Sequence, residues 1–134
     1  MNSGPVEDRL ELRELMETFA VAAMRADSKL LSSTWAEDGV WKLPSMPEPV
    51  SGRDKIVESF IRVMGYVDFM SMISVPADLV VEGDVARGKA YCRELIFTKT
   101  GEQKVVVGCY DDTYVKRNGR WYFLSRSYEV IGKR

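Results

Sequence analysis

The sequence predicts an α+β fold in which helices come first and gather on one face of an antiparallel sheet built by the later strands. Three observations point there. Apolar residues in the first half recur at three- and four-residue spacing, whereas the second half alternates in runs separated by glycine turns. The 134 residues, 46% apolar and 29% charged, amount to one domain, residues 1–134, that can close a single core.

The elements follow in order. Leu12, Leu15, Met16, Phe19, Ala20 and Ala23 form one face of a first helix, with Glu7 and Asp8 suited to its N-terminus. A second, short helix is expected from about Ser28 to Trp35, capped by Asp27, with Leu30, Leu31, Thr34 and Trp35 on one side. Asp38-Gly39 reads as a turn before a short strand from Val40 to Leu43 that ends at Pro44. Ser45 to Val50 reads as a loop. Ser51 and Asp54 have capping-box spacing before a third helix with Ile56, Val57, Phe60, Ile61 and Met64 on its apolar face, stopped by Gly65. Strands are expected at Val67–Ser74, Asp78–Val81 after Pro76, Val85–Phe97, Lys104–Val115 and Trp121–Ile131. Asn118-Gly119 gives the strongest hairpin signal.

Charge and residue usage narrow the chemistry. Nineteen basic and 20 acidic residues nearly cancel, which argues against a nucleic-acid partner. No apolar run reaches the roughly 20 residues of a membrane span, and charges interrupt the N-terminal segment where a signal peptide would be apolar. Together with only two cysteines, Cys92 and Cys109, this leads to an expectation of a cytoplasmic protein, although those two thiols allow a single pairing. There is no histidine, so acid–base work falls to carboxylates, tyrosines or lysines, and no zinc site of Cys and His ligands is expected.

Three stretches in the right order, EDRLELRELMETFAVAAMRADSKLLSSTWAEDGVWKLP, SGRDKIVESF and GCYDDTYVKRNGRWYFLSRSYEV, resemble the SnoaL-like branch of the nuclear-transport-factor-2-like superfamily. The resemblance spans nearly the whole chain. It implies a cone-shaped, curved antiparallel sheet wrapped around N-terminal helices, a cystatin-like α+β barrel with an interior cavity, and a dimer formed through the outer sheet face. It implies cofactor-independent chemistry of the polyketide cyclase, dehydratase or isomerase type. In several members an aspartate in a string A-x-D-x-x-D pairs with a histidine on the first long strand. Those positions fall on Met24 and near Ser74, so both members of the dyad are missing here.

Strand alternation then nominates the lining. The inward set on the second long strand is Ala86, Gly88, Ala90, Cys92, Glu94 and Ile96, chosen for its small residues. The resemblance places Gly108, Tyr110, Asp112 and Tyr114 inward, and Tyr122, Leu124, Arg126, Tyr128 and Val130 with them. Met70, Met72 and Ser74 add a further wall and Trp41 another. The substrate-contacting set is therefore Met24, Trp41, Phe60, Met64, Met70, Met72, Ser74 and Tyr128. The chemistry-bearing set is Asp112, Glu94, Tyr110 and Arg126.

Apolar and aromatic walls with a few polar groups suit a hydrophobic, ring-bearing small molecule. Each feature has a plainer reading too. Glu94, Asp112 and Arg126 fit a self-satisfying buried ion network, the tyrosines and methionines fit core filling, and Trp35 and Trp121 are structural. A lyase, isomerase or cyclase and a non-catalytic binding module both fit the sequence; a partner subunit like the small subunit of ring-hydroxylating oxygenases fits less well. On the outer face, Tyr91, Leu95, Phe97, Val105, Val107 and Cys109 form an apolar surface suited to a second copy of the chain.

Overall fold

The computed structural model describes residues 1–134 and has the expected α+β architecture. Helices α1 (Val6–Arg25), α2 (Ser28–Ser32) and α3 (Arg53–Met64) are interleaved with strands β1 (Trp35–Lys42) and β2 (Val50–Ser51). The long strands β3 (Val67–Glu82), β4 (Val85–Thr98), β5 (Gln103–Arg117) and β6 (Arg120–Lys133) follow. All six strands form one open, curved sheet in the order β2-β1-β6-β5-β4-β3. The pairings are antiparallel except for β1 with β6, which is parallel.

The core lies between the helices and the concave side of this sheet. Leu12, Met16, Phe19 and Ala23 of α1 pack there against Trp35, Tyr110, Tyr114 and Phe123. Each large apolar side chain so buried stabilises the fold by roughly 1.5–3 kcal/mol before chain entropy is counted. Trp121 is held at one end of α1, where its indole N–H donates to Asp8 at 2.9 Å.

The structure corrects several local expectations. α2 stops at Ser32, and Trp35 begins β1 instead of ending the helix. Asp38-Gly39 is no turn: β1 runs through it, with a slip in the β1–β6 register between Trp35 and Val40. A Cβ on Gly39 would press on the Trp35 ring and the Ala36 carbonyl, so glycine is what lets the strand pass over that indole. Val50 belongs to β2 and not to the loop before it. Ser51 does not cap α3; the N-cap is Gly52, with no side-chain hydrogen bond. On α3, Ser59 is buried and Ile61 is exposed, the reverse of the expected stripe. Asp27 does cap α2, accepting the Leu30 N–H at 2.9 Å.

Pro76 does not divide the first long strand. β3 continues through it because β3 is the sheet edge, where a missing N–H is tolerated, and the kink appears instead as a register shift between Ala77 and Val80. A bulge at Leu124 on β6 matters more. It pairs Thr113 with Ser125 but Tyr114 with Phe123, which turns Trp121 and Phe123 inward and removes Tyr122 and Leu124 from the buried set expected of them. Beyond the bulge the expected alternation resumes, and Arg126 and Tyr128 face the concave side. Cys92 and Cys109 are both free, and they cannot pair because they lie on opposite faces of neighbouring strands, Cys92 opposite Gly108 and Cys109 opposite Tyr91.

Candidate active site

Between α1, α3 and the outer half of the concave sheet lies a cavity of about 540 Å³. Fifteen of its 20 lining residues are hydrophobic. Phe19 and Ala23 enter it from α1, Phe60, Val63 and Met64 from α3, and Met70 and Met72 from β3. Glu94, Tyr110, Tyr128, Lys104 and Lys133 supply polar groups within the sheet, with Trp41 from β1.

Gly108 determines where those groups meet. With no Cβ on β5 at that position, Tyr128 of β6 lies across the neighbouring strand, and its hydroxyl reaches Glu94 Oε2 on β4 in a long contact of 3.5 Å. Tyr110 stands beside it, ring centroids 4.7 Å apart, and its hydroxyl accepts the Trp41 indole N–H at 3.2 Å. The Tyr110 proton has no acceptor within the protein. Burial raises both phenols well above the ordinary tyrosine range, so both are neutral donors. Burial likewise raises the Glu94 carboxyl, opposed by the Tyr128 hydroxyl and the charge of Arg126.

Asp112 and Arg126 come together but not in the cavity. Arg126 donates to both carboxylate oxygens of Asp112, at 2.8 and 3.1 Å, and Tyr114 donates to one of them at 3.1 Å. Both charged side chains are essentially inaccessible, 1% and 0% exposed. The guanidinium also lies 3.7 Å from the Tyr110 ring centroid, 4.2 Å from that of Phe123 and 4.4 Å from that of Phe19. Desolvation raises Asp112 and opposes the charge of Arg126, but Asp112 and its neighbours more than offset that for the guanidinium, whose pKa is raised. The pair is ionised because three donors converge on two oxygens, an arrangement a protonated acid would spoil. This is the self-satisfying network, with Glu94 left out of it.

The expected site is therefore corrected at four positions. Asp112 and Arg126 lie beneath the lining and are not part of it. Met24 points to solvent at 39% exposure, and Ala23 takes the cavity-facing place near the end of α1. Ser74 faces inward but bonds Cys92 at 3.3 Å, away from the lining. Trp41, Phe60, Met64, Met70, Met72, Glu94, Tyr110 and Tyr128 all line the cavity. Phe19, Lys104 and Lys133 line it too and were not nominated. Lys104 shares the alternation of Gly108 and Tyr110, which was the available signal. No three carboxylate or thiol side chains cluster as metal ligands.

A family model described as a SnoaL-like domain matches residues 5–127. The chain belongs to the SnoaL-like family. No curated protein matches this SnoaL-like chain, but solved structures do. One is a protein of Novosphingobium aromaticivorans named as a candidate aromatic ring hydroxylase: 24% identical, 97% of this chain and 93% of that one covered, TM-score 0.87. A candidate scytalone dehydratase of the same organism is 16% identical over 96% of this chain and 87% of the other, with TM-score 0.88. A type 2 hexachlorocyclohexane dehydrochlorinase is 15% identical over 96% and 88%, again at 0.88. At these identities the likeness is one of fold.

Proposed function

We propose that this SnoaL-like protein is a cofactor-independent lyase or isomerase acting on a hydrophobic, ring-bearing small molecule held in the cavity. The observation that carries this reading is Glu94, the one carboxyl in a mostly apolar lining, with its pKa raised by burial and a free phenolic donor in the same lining. A carboxyl shifted toward neutrality is suited to taking and returning a proton. The unengaged O–H of Tyr110 is suited to an oxyanion that develops on the substrate. Arg126 and Asp112 act here as positioning residues, fixing the Tyr110 ring from beneath through the cation–π contact.

Glu94→Gln, Tyr110→Phe and Asp112→Asn enzymes assayed on a panel of dehydratable, cyclisable and isomerisable ring compounds test the assignment. We expect Glu94→Gln to lose turnover while still binding, and Tyr110→Phe to lose roughly 10²-fold in kcat. Undiminished turnover in Glu94→Gln removes its role. The absence of the Asp–His dyad at Met24 and Ser74 favours a second reading, saturable binding of apolar compounds without conversion, which the same panel separates from the first.

The protein is further read as a cytoplasmic homodimer joined through the outer sheet face. Exposed Ile73, Val75, Tyr91, Val105 and Val107 are contiguous there across β3, β4 and β5, and a second copy would cover them. No helix is long and apolar enough to cross a membrane.

A further inference from the structure

Two lysines stand at the mouth of the cavity. Lys104 and Lys133 line it from β5 and β6, both are exposed, and neither belongs to any of the chain's five ion pairs. Lys104 follows the inward alternation of β5, two residues beyond Val106. Lys133 does not follow that of β6, for after Tyr128 and Val130 plain alternation sends residue 132 inward and 133 outward. The ladder slips here: Gly108 faces Val130, but Val107 faces Gly132 and Val106 faces Lys133. The resulting bulge at Ile131 turns Lys133 to the cavity side, beside a lining residue.

Lys104 and Lys133 thus become diagonal neighbours across the β5–β6 ladder, with backbones roughly 7–8 Å apart. Like charges at that separation repel, and an anion between them relieves the repulsion. The only other charged group in the lining, Glu94, stands opposite Val106, diagonal to Lys104 and two strands from Lys133; its contact is with Tyr128 and it pairs with neither lysine. Two ammonium groups against one carboxyl leave the mouth net cationic, and the walls behind it are apolar.

We infer that the ligand is an amphipathic anion, an apolar ring body carrying a carboxylate, sulfate or phosphate group that Lys104 and Lys133 hold at the mouth. The inference rests on the reading that the cavity binds a hydrophobic small molecule, and it adds the charge and orientation of that molecule. The rings lie against Phe60, Met70 and Met72, with the charged end outward.

Isothermal titration of the full chain with 2-naphthoate and with its uncharged methyl ester tests this. The anion binds about tenfold more tightly at low salt, as two exposed charge contacts allow, and the advantage shrinks as salt is added. In a Lys104→Gln/Lys133→Gln double variant the anion falls to the affinity of the ester, while ester binding, unchanged, reports an intact cavity. Equal affinities in the parent protein, or a preference that survives in the double variant, overturn the inference and leave the cavity reading standing. Binding of neither compound removes both.

Discussion

Gly108 leaves open the space that the hydroxyl of Tyr128 fills, and a Cβ on residue 108 would overlap that oxygen and the ring carbons behind it. The contact between Tyr128 and Glu94 therefore depends on a residue that carries no functional group. Gly108→Ala is expected to push Tyr128 aside, cost roughly 1–3 kcal/mol of stability as an overpacked site, and break the Glu94 contact. A crystal structure of the variant checks the displacement, and urea unfolding the cost. Tyr128 left in place in the variant would show that the strand, not the ring, yields.

The buried ion pair gives a second expectation. Asp112→Leu leaves the guanidinium uncompensated among Phe19, Tyr110 and Phe123, and Arg126→Met leaves the Asp112 carboxylate with only Tyr114, so each should cost about 3–5 kcal/mol. A double change to residues of similar volume, Arg126→Met with Asp112→Leu, should recover much of that loss. Denaturant midpoints of the three variants decide it. Additive losses would mean the two groups act separately.

Helical spacing revealed Leu12, Met16 and Phe19, and period-two alternation revealed Glu94, Tyr110 and Met72, because each lies in an unbroken stretch of its element. Failures sit where a one-residue slip changes the face. The bulge at Leu124 exchanged Tyr122 and Leu124 for Trp121 and Phe123, and the one at Ile131 turned Lys133 inward. No periodicity in the chain announces either slip. Asp112 was legible as an inward acid and, with Arg126, as part of a self-satisfying network; what alternation could not give was depth, so it did not separate Glu94 on the lining from the pair beneath it.

Glu94 makes a pH-dependent expectation. Its pKa is raised in the folded chain, so the folded state holds that proton to higher pH than the unfolded state does. The stabilisation is fully present below the unfolded carboxylate pKa, near 4.3, and is lost as pH rises through the folded value. Glu94→Gln, which keeps a carbonyl to accept from Tyr128, should match the parent at low pH and exceed it in stability at neutral pH. Thermal unfolding of both proteins from pH 4 to 8 reads the divergence directly, and parallel curves would show that Glu94 is ionised without penalty.

The outer sheet face gives the last expectation. Val107 is 40% exposed and is flanked across the ladder by Arg93 on β4 and Gly132 on β6, with Ile73 beyond Arg93 on the edge strand. It meets the apolar patch along β5, between Val105 and Cys109, and diagonally through Tyr91 and Leu95 on β4. If two copies bury this face, a lysine at position 107 places a charge of the same sign from each copy in a desolvated interface, where such a pair costs several kcal/mol. In a monomer the same lysine reaches solvent along an exposed strand and costs little. Sedimentation velocity should therefore give a dimer for the parent chain and a monomer for Val107→Lys, with the far-ultraviolet spectrum unchanged. A parent chain that sediments as a monomer at micromolar concentration would show that the face remains uncovered.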